Sequence, residues 1–127
     1  MELTVRSGRQ HVVVVVGGDV VARTAPTLRE SLLRVLNTAP PYVILDIGRV
    51  DRVDSAGLAA ITEAHRGARL LGGWLCLICP EQRTRDLLDQ EVLPMIPRYS
   101  SVEQALTAER RGRSRYFGAG VTRRTSA

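Results

Sequence analysis

Lysine is absent from the 127 residues, and all 18 basic positions are arginine. A phosphate-binding loop of the form G-x-x-x-x-G-K-[ST] needs a lysine to reach the phosphates, so that class of nucleotide enzyme is excluded. Cysteine occurs only twice, at Cys76 and Cys79 in "WLCLICP". Two thiols do not make a disulfide scaffold. Zinc would need two further ligands, for which only His11 and His65 are available, each in a different expected element. The pair also lies inside an apolar run that reads as a strand, whereas a redox Cys-x-x-C opens a helix. Both cysteines are therefore read as buried, unreactive thiols. Aromatic residues make up only 4% of the chain, so the core has to be built from Val, Leu, Ile and Ala. No apolar run approaches the roughly 20 residues that span a bilayer. The longest obvious one, Val12 to Val16, closes in Gly17-Gly18. The opening "MELTVRSGRQ" lacks the apolar stretch and small-residue cleavage site of a secretory signal. A cytoplasmic protein without membrane insertion is expected.

What is present fits one domain with a sizeable aliphatic core. The net charge of +5 is unevenly distributed. Residues 110–127, "RRGRSRYFGAGVTRRTSA", hold six arginines and no acid, while the rest of the chain has twelve basic and thirteen acidic residues. The expected division is a near-neutral folded domain over 1–109 and a basic tail over 110–127. The tail has too little apolar surface to offset its chain entropy and is expected to be disordered. It reads as a solvated terminus rather than a contact for nucleic acid or anionic lipid, and no direct nucleic-acid partner is expected.

"ELTVRS" (2–7) and "HVVVVVGGDVV" (11–21) read as β-branched strands forming a hairpin across a short Gly-containing turn. "TAPTLRESLLRVLN" (24–37) reads as a helix, with Thr24 as N-cap, Pro26 in the first turn, and Leu28, Leu32, Val35 and Leu36 on one face. Pro40-Pro41 stops it. "YVILDI" (42–47) is a short continuous apolar run, as in a strand buried on both faces. From Ser55 a helical period returns, with Leu58, Ile61, His65 and Ala68 on one side and Thr62, Arg66 and Arg69 on the other. Gly72-Gly73 ends that helix, and "WLCLIC" (74–79) is a second buried strand. A helix is expected over 80–91, "PEQRTRDLLDQE", followed by a short edge segment at "PMIPRY". In "SSVEQALTAERR", Ser100 or Ser101 with Glu103 or Gln104 three residues later caps a last helix. Strands alternating with helices give an α/β fold: a mixed, mostly parallel sheet of about five strands with an N-terminal hairpin and about four flanking helices.

In open α/β sheets, ligands and partners meet the carboxyl ends of the strands. Three loops lie there, at 17–24, 48–55 and 79–81. The middle one holds "RVDRVDSAGLAAI" (49–61). G-x-S-x-G is absent around Ser55, and His65, ten residues on, is badly placed to act as its base. Asp46, Asp51 and Asp54 read as acids serving the helix dipole and solubility rather than as metal ligands. Either Asp54 or Ser55 can cap the helix that follows. A cap does not explain Ala56-Gly57, because glycine in a helix costs up to about 1 kcal/mol relative to alanine. Small side chains here imply that another backbone or a phosphate approaches closely.

"DSAGLAAI" after "YVILDIGRVDRV" resembles the D-S-S/T-G-L segment of STAS domains, specifically the bacterial anti-sigma factor antagonists. "GDVVARTAP" resembles the family's G-E-L-D-x-x-T-A-P, "GGWLCLICP" its G-G-x-L-x-L-x-x, and "YSSVEQAL" its x-S-V-E-E-A-L. In order, these pieces span about residues 2–108. The resemblance implies a STAS-like domain that is not an enzyme and carries no cofactor. It implies that Ser55 is the phosphoacceptor of a partner that is both anti-sigma factor and serine kinase, a histidine-kinase-like ATPase. The unphosphorylated protein would bind that partner and free a sigma factor; phosphorylation would end the binding, and a serine phosphatase would restore it. Asp19, Val21, Thr24, Asp54, Ser55, Ala56, Gly57 and Leu58 are the expected partner-binding residues. The chain departs from the pattern at Ala56, where the family has a second hydroxyl, and at Val21, where it has an acid. Asp19 has the strand parity to face the same side as Val21. The alternative implied by the same resemblance is a cytoplasmic regulatory partner of a lipid or anion transporter.

Overall fold

The computed structural model describes residues 1–38, 40–82 and 96–109. Strand β1 (Glu2–Ser7) turns back into β2 (Val12–Val20), helix α1 (Ala25–Thr38) follows, then β3 (Tyr42–Val53), α2 (Ser55–Leu70), β4 (Trp74–Ile78) and β5 (Arg98–Tyr99). A last helix, α3, covers 102–109. The five strands form one sheet in the order β1-β2-β3-β4-β5. β1 and β2 pair antiparallel and every later pair is parallel. This is the mixed α/β sheet with an N-terminal hairpin that the residue pattern predicts. The helix expected over 80–91 lies, beyond its first residues, outside the described residues, as does the basic tail.

The valine run explains β2. β-branched side chains suit a pleated surface, and their alternation sorts them: Val12, Val14 and Val16 are fully buried, while Val13 and Val15 are half-buried. The first set meets α1 through Leu28, Leu32 and Leu36 and α2 through Leu58, Ile61, Ala64 and Ala68 in one aliphatic core. On the opposite face, Ile44, Trp74, Cys76 and Ile78 gather with Ala105 of α3. Both cysteines are buried, and burial pushes the Cys76 thiol far up, as an unreactive thiol requires. His65 is buried on the apolar side of α2.

Helix ends follow local chemistry. Gly72, at φ +82°, closes α2: its N–H donates to the Arg69 carbonyl and the Gly73 N–H to the Ala68 carbonyl. That is the double bond pattern of a Schellman end. Ser101 and Gln104 cap α3, since Gln104 N–H donates to Ser101 Oγ at 3.1 Å and Ser100 N–H to Gln104 Oε1 at 2.6 Å. At α1 the expectation needs correction. Thr24 precedes the helix, but its hydroxyl turns back onto the loop, accepting from Val21 N–H at 3.0 Å and donating to the Asp19 carbonyl at 2.7 Å. The loop has a tight turn to close and takes the hydroxyl that would otherwise cap.

A larger correction concerns β3, which runs six residues beyond the expected Ile47. Its polar second half looks like a loop in sequence. It pairs with β2 through Asp19↔Arg52 and Val20↔Val53, across register shifts at Val15/Gly17 and Gly18/Asp19. β4 accompanies β3 only as far as Asp46↔Ile78. Beyond that point β2 is the one strand beside β3 among the described residues, and Arg49, Asp51 and Arg52 reach water while Val50 stays buried.

Candidate functional site

The site lies where β2 and β3 end and α1 and α2 begin. β2 stops at Val20 because the next residues form a tight turn: Thr24 N–H and Ala25 N–H both donate to the Val21 carbonyl, at 2.9 and 2.7 Å. β3 stops at Val53 because Asp54 leaves the ladder to cap α2. Gly57 N–H donates to Asp54 Oδ1 at 3.0 Å, and Ala22 N–H donates to Asp54 Oδ2 at 2.9 Å. The Asp54 N–H in turn donates to the Val20 carbonyl at 3.2 Å. One side chain thus caps a helix and pins the neighbouring loop. The bonds from Gly57 and Ala22 hold its carboxyl below the ordinary aspartate value, because they favour the ionised form.

This arrangement settles which residue caps α2. Asp54 does, in extended backbone, and Ser55 is the first residue of the helix with its side chain exposed. It also corrects the reading of Ala56-Gly57-Leu58. Gly57 is buried, and a Cβ there would run into the Val20 carbonyl oxygen. The close backbone approach inferred from the sequence is real, but the backbone is the protein's own. Leu58 is buried in the core and Ala56 packs partly against it. Of the expected partner-binding set, Asp19, Val21, Thr24, Asp54, Ser55 and Ala56 keep some exposure, whereas Gly57 and Leu58 face inward.

Asp19 accepts from Arg52 at 2.7 Å across the β2–β3 ladder, and this bond holds its carboxyl below the ordinary value. Val21, Ala22, Arg23, Arg52, Val53 and Asp54 line a depression of about 380 Å³ next to Ser55. Sequence reasoning overlooked Arg23, Arg52 and Val53. Extending the β2–β3 pairing past Gly17-Gly18 would have set Arg52 opposite Asp19, but the polar residues after Ile47 concealed that pairing. Among the described residues no histidine or other base hydrogen-bonds Ser55, and the neighbouring Asp54 is engaged by the Gly57 and Ala22 N–H groups. Asp46 accepts from Gly48 N–H at 2.9 Å, and among the described residues no three potential metal ligands come together.

The comparisons agree with this fold. The anti-sigma factor antagonist from Mycobacterium paratuberculosis is 25% identical, with a TM-score of 0.69 over 86% of this chain and 93% of that one. The Bacillus cell fate determinant SpoIIAA in its phosphorylated form is 18% identical, with a TM-score of 0.64 over 85% and 99%. A sulfate transporter family protein from Wolinella succinogenes is 21% identical, with a TM-score of 0.65 over 83% and 88%. No curated protein sequence matches the chain. The family model for the STAS domain matches residues 2–105. With the strand order, the capped serine-bearing helix and that match over most of its length, the chain belongs to the STAS domain family.

Proposed function

We propose that the protein is an anti-sigma factor antagonist, with residues 1–109 as its docking unit and Ser55 as its switch. In this reading it binds an anti-sigma factor that is also a serine kinase of the histidine-kinase-like ATPase type, and so frees a sigma factor. The observation that carries the proposal is the division of labour at α2. Asp54 does the capping, which leaves the Ser55 hydroxyl exposed at the helix start beside an open depression. SpoIIAA, described as an anti-sigma factor antagonist and known in unphosphorylated and phosphorylated forms, supports the same reading by its shared fold.

Transfer would move the γ-phosphoryl group of ATP to Ser55 Oγ, with ADP leaving and the hydroxyl proton passing to a base on the kinase. ATP and its metal belong to the kinase, and this chain supplies only the acceptor. The added charge of about −1.5 to −2 sits at a helix N-terminus, where the backbone dipole tolerates anions. The fold is therefore kept while the docking surface changes, and a serine phosphatase would reverse the change. Incubation with the ATPase and ATP, followed by intact-mass measurement, should add one phosphoryl group to the wild type and none to Ser55→Ala. No gain on the wild type, or an equal gain on the variant, overturns the assignment. Ser55→Asp should retain native circular dichroism and bind the ATPase more weakly. Co-purification with a transporter instead of the ATPase would favour the transporter-partner role.

A further inference from the structure

The depression beside Ser55 constrains what the partner presents. Its lining is apolar at Val21, Ala22 and Val53 and charged at Arg23, Arg52 and Asp54. The acids at this end of the sheet are already committed. Asp54 gives one oxygen to Gly57 N–H and the other to Ala22 N–H, and Asp19 is bonded by Arg52. Arg23 differs. It is exposed in the turn over 22–24, and among the described residues its guanidinium makes no hydrogen bond or ion pair, acting on Asp19 only through space.

We propose that this depression determines partner specificity and receives an apolar side chain flanked by a carboxylate, with Val21 and Val53 taking the apolar group and Arg23 the carboxylate. The inference rests on the antagonist reading and deepens it. A partner bringing a lysine or arginine here would meet the Arg23 guanidinium, a like-charge juxtaposition that disfavours docking. Asp19 is already engaged by Arg52, and Asp54 by the Gly57 and Ala22 N–H groups. Val21 fits an apolar contact because it is half-buried and carries no charge for a cation to seek.

Arg23 also gives the switch its direction. Ser55 follows Asp54 in the chain, so a phosphoryl group there places an anion at the edge of the depression. It supplies from within the chain what the partner's carboxylate supplies from outside. It also repels that carboxylate, so docking weakens without any change in fold.

The test uses the purified ATPase as probe and calorimetric titration of the full chain, with circular dichroism to verify each variant's fold. Arg23 is exposed, so its replacements carry little risk to folding. Arg23→Glu should weaken binding by about tenfold or more, and Arg23→Lys by no more than about threefold. Val21→Asp should weaken it as well. Ser55→Asp should cost less in an Arg23→Gln background than in the wild type, because the two changes act on one shared contact. Tighter binding by Val21→Asp, or unchanged binding by Arg23→Glu, overturns this inference and leaves the antagonist reading standing. A wild-type chain that does not bind the ATPase overturns both.

Discussion

Ser55 is exposed because Asp54, one residue earlier, takes the capping role. The sequence shows both candidates at the helix start and offers no way to choose between them, since either side chain can reach the free N–H groups. The choice depends on Ala22, whose N–H engages the second carboxylate oxygen of Asp54 from 32 residues away. Gly57 is the complementary case. Its lack of a side chain is visible in the sequence as a requirement for close approach, but the approaching group, the Val20 carbonyl, becomes evident only when β2 lies beside α2. Gly57→Ala should therefore destabilise the fold by about 1–3 kcal/mol through overpacking, read as a lowered denaturation midpoint. A surface role alone would leave stability nearly unchanged.

Elements with a strong local signal lie where the sequence puts them. α1 and α2 carry apolar residues at helical spacing, and Gly72 ends α2 for a reason local to the backbone: its φ of +82° is costly for any residue with a Cβ. No atom would meet a Cβ there, so Gly72→Ala should cost only the conformational term, about 1 kcal/mol by thermal or chemical unfolding. At Gly73 a Cβ would run into the Pro41 carbonyl oxygen, so Gly73→Ala should be the more damaging of the two. β3 is the element whose length was hidden. Among the described residues its outer half pairs with β2 alone, and Arg49, Asp51 and Arg52 are exposed. A half-buried strand shows in a sequence as strict alternation, and here Asp51 and Arg52 in succession break it.

For the molecule as a whole, stability rests on the aliphatic core between the sheet and helices α1 and α2, where His65 is buried. Burial, reinforced by Arg69 and Arg66, lowers the His65 pKa below 6.5. The unfolded chain therefore takes up a proton at a higher pH than the folded one. Stability is fully present above 6.5 and falls as the pH drops from there through the folded value. The urea midpoint should accordingly decline as the pH falls from about 6.5 towards the folded pKa, and His65→Leu should flatten that decline. An unchanged slope in the variant would assign the pH dependence to other groups. No helix among the described residues is long and apolar enough to cross a membrane.

The sequence by itself determined the aliphatic core, the order of strands and helices, the unreactive cysteines and the serine at the start of α2. Each depends on side-chain type and on spacing within one segment. Only the tertiary structure decided that Asp54 caps, that Gly57 and Leu58 face inward, and that Arg23, Arg52, Val21 and Val53 share one depression. Those facts depend on contacts between segments some thirty residues apart, brought together by the parallel pairing of β2 and β3.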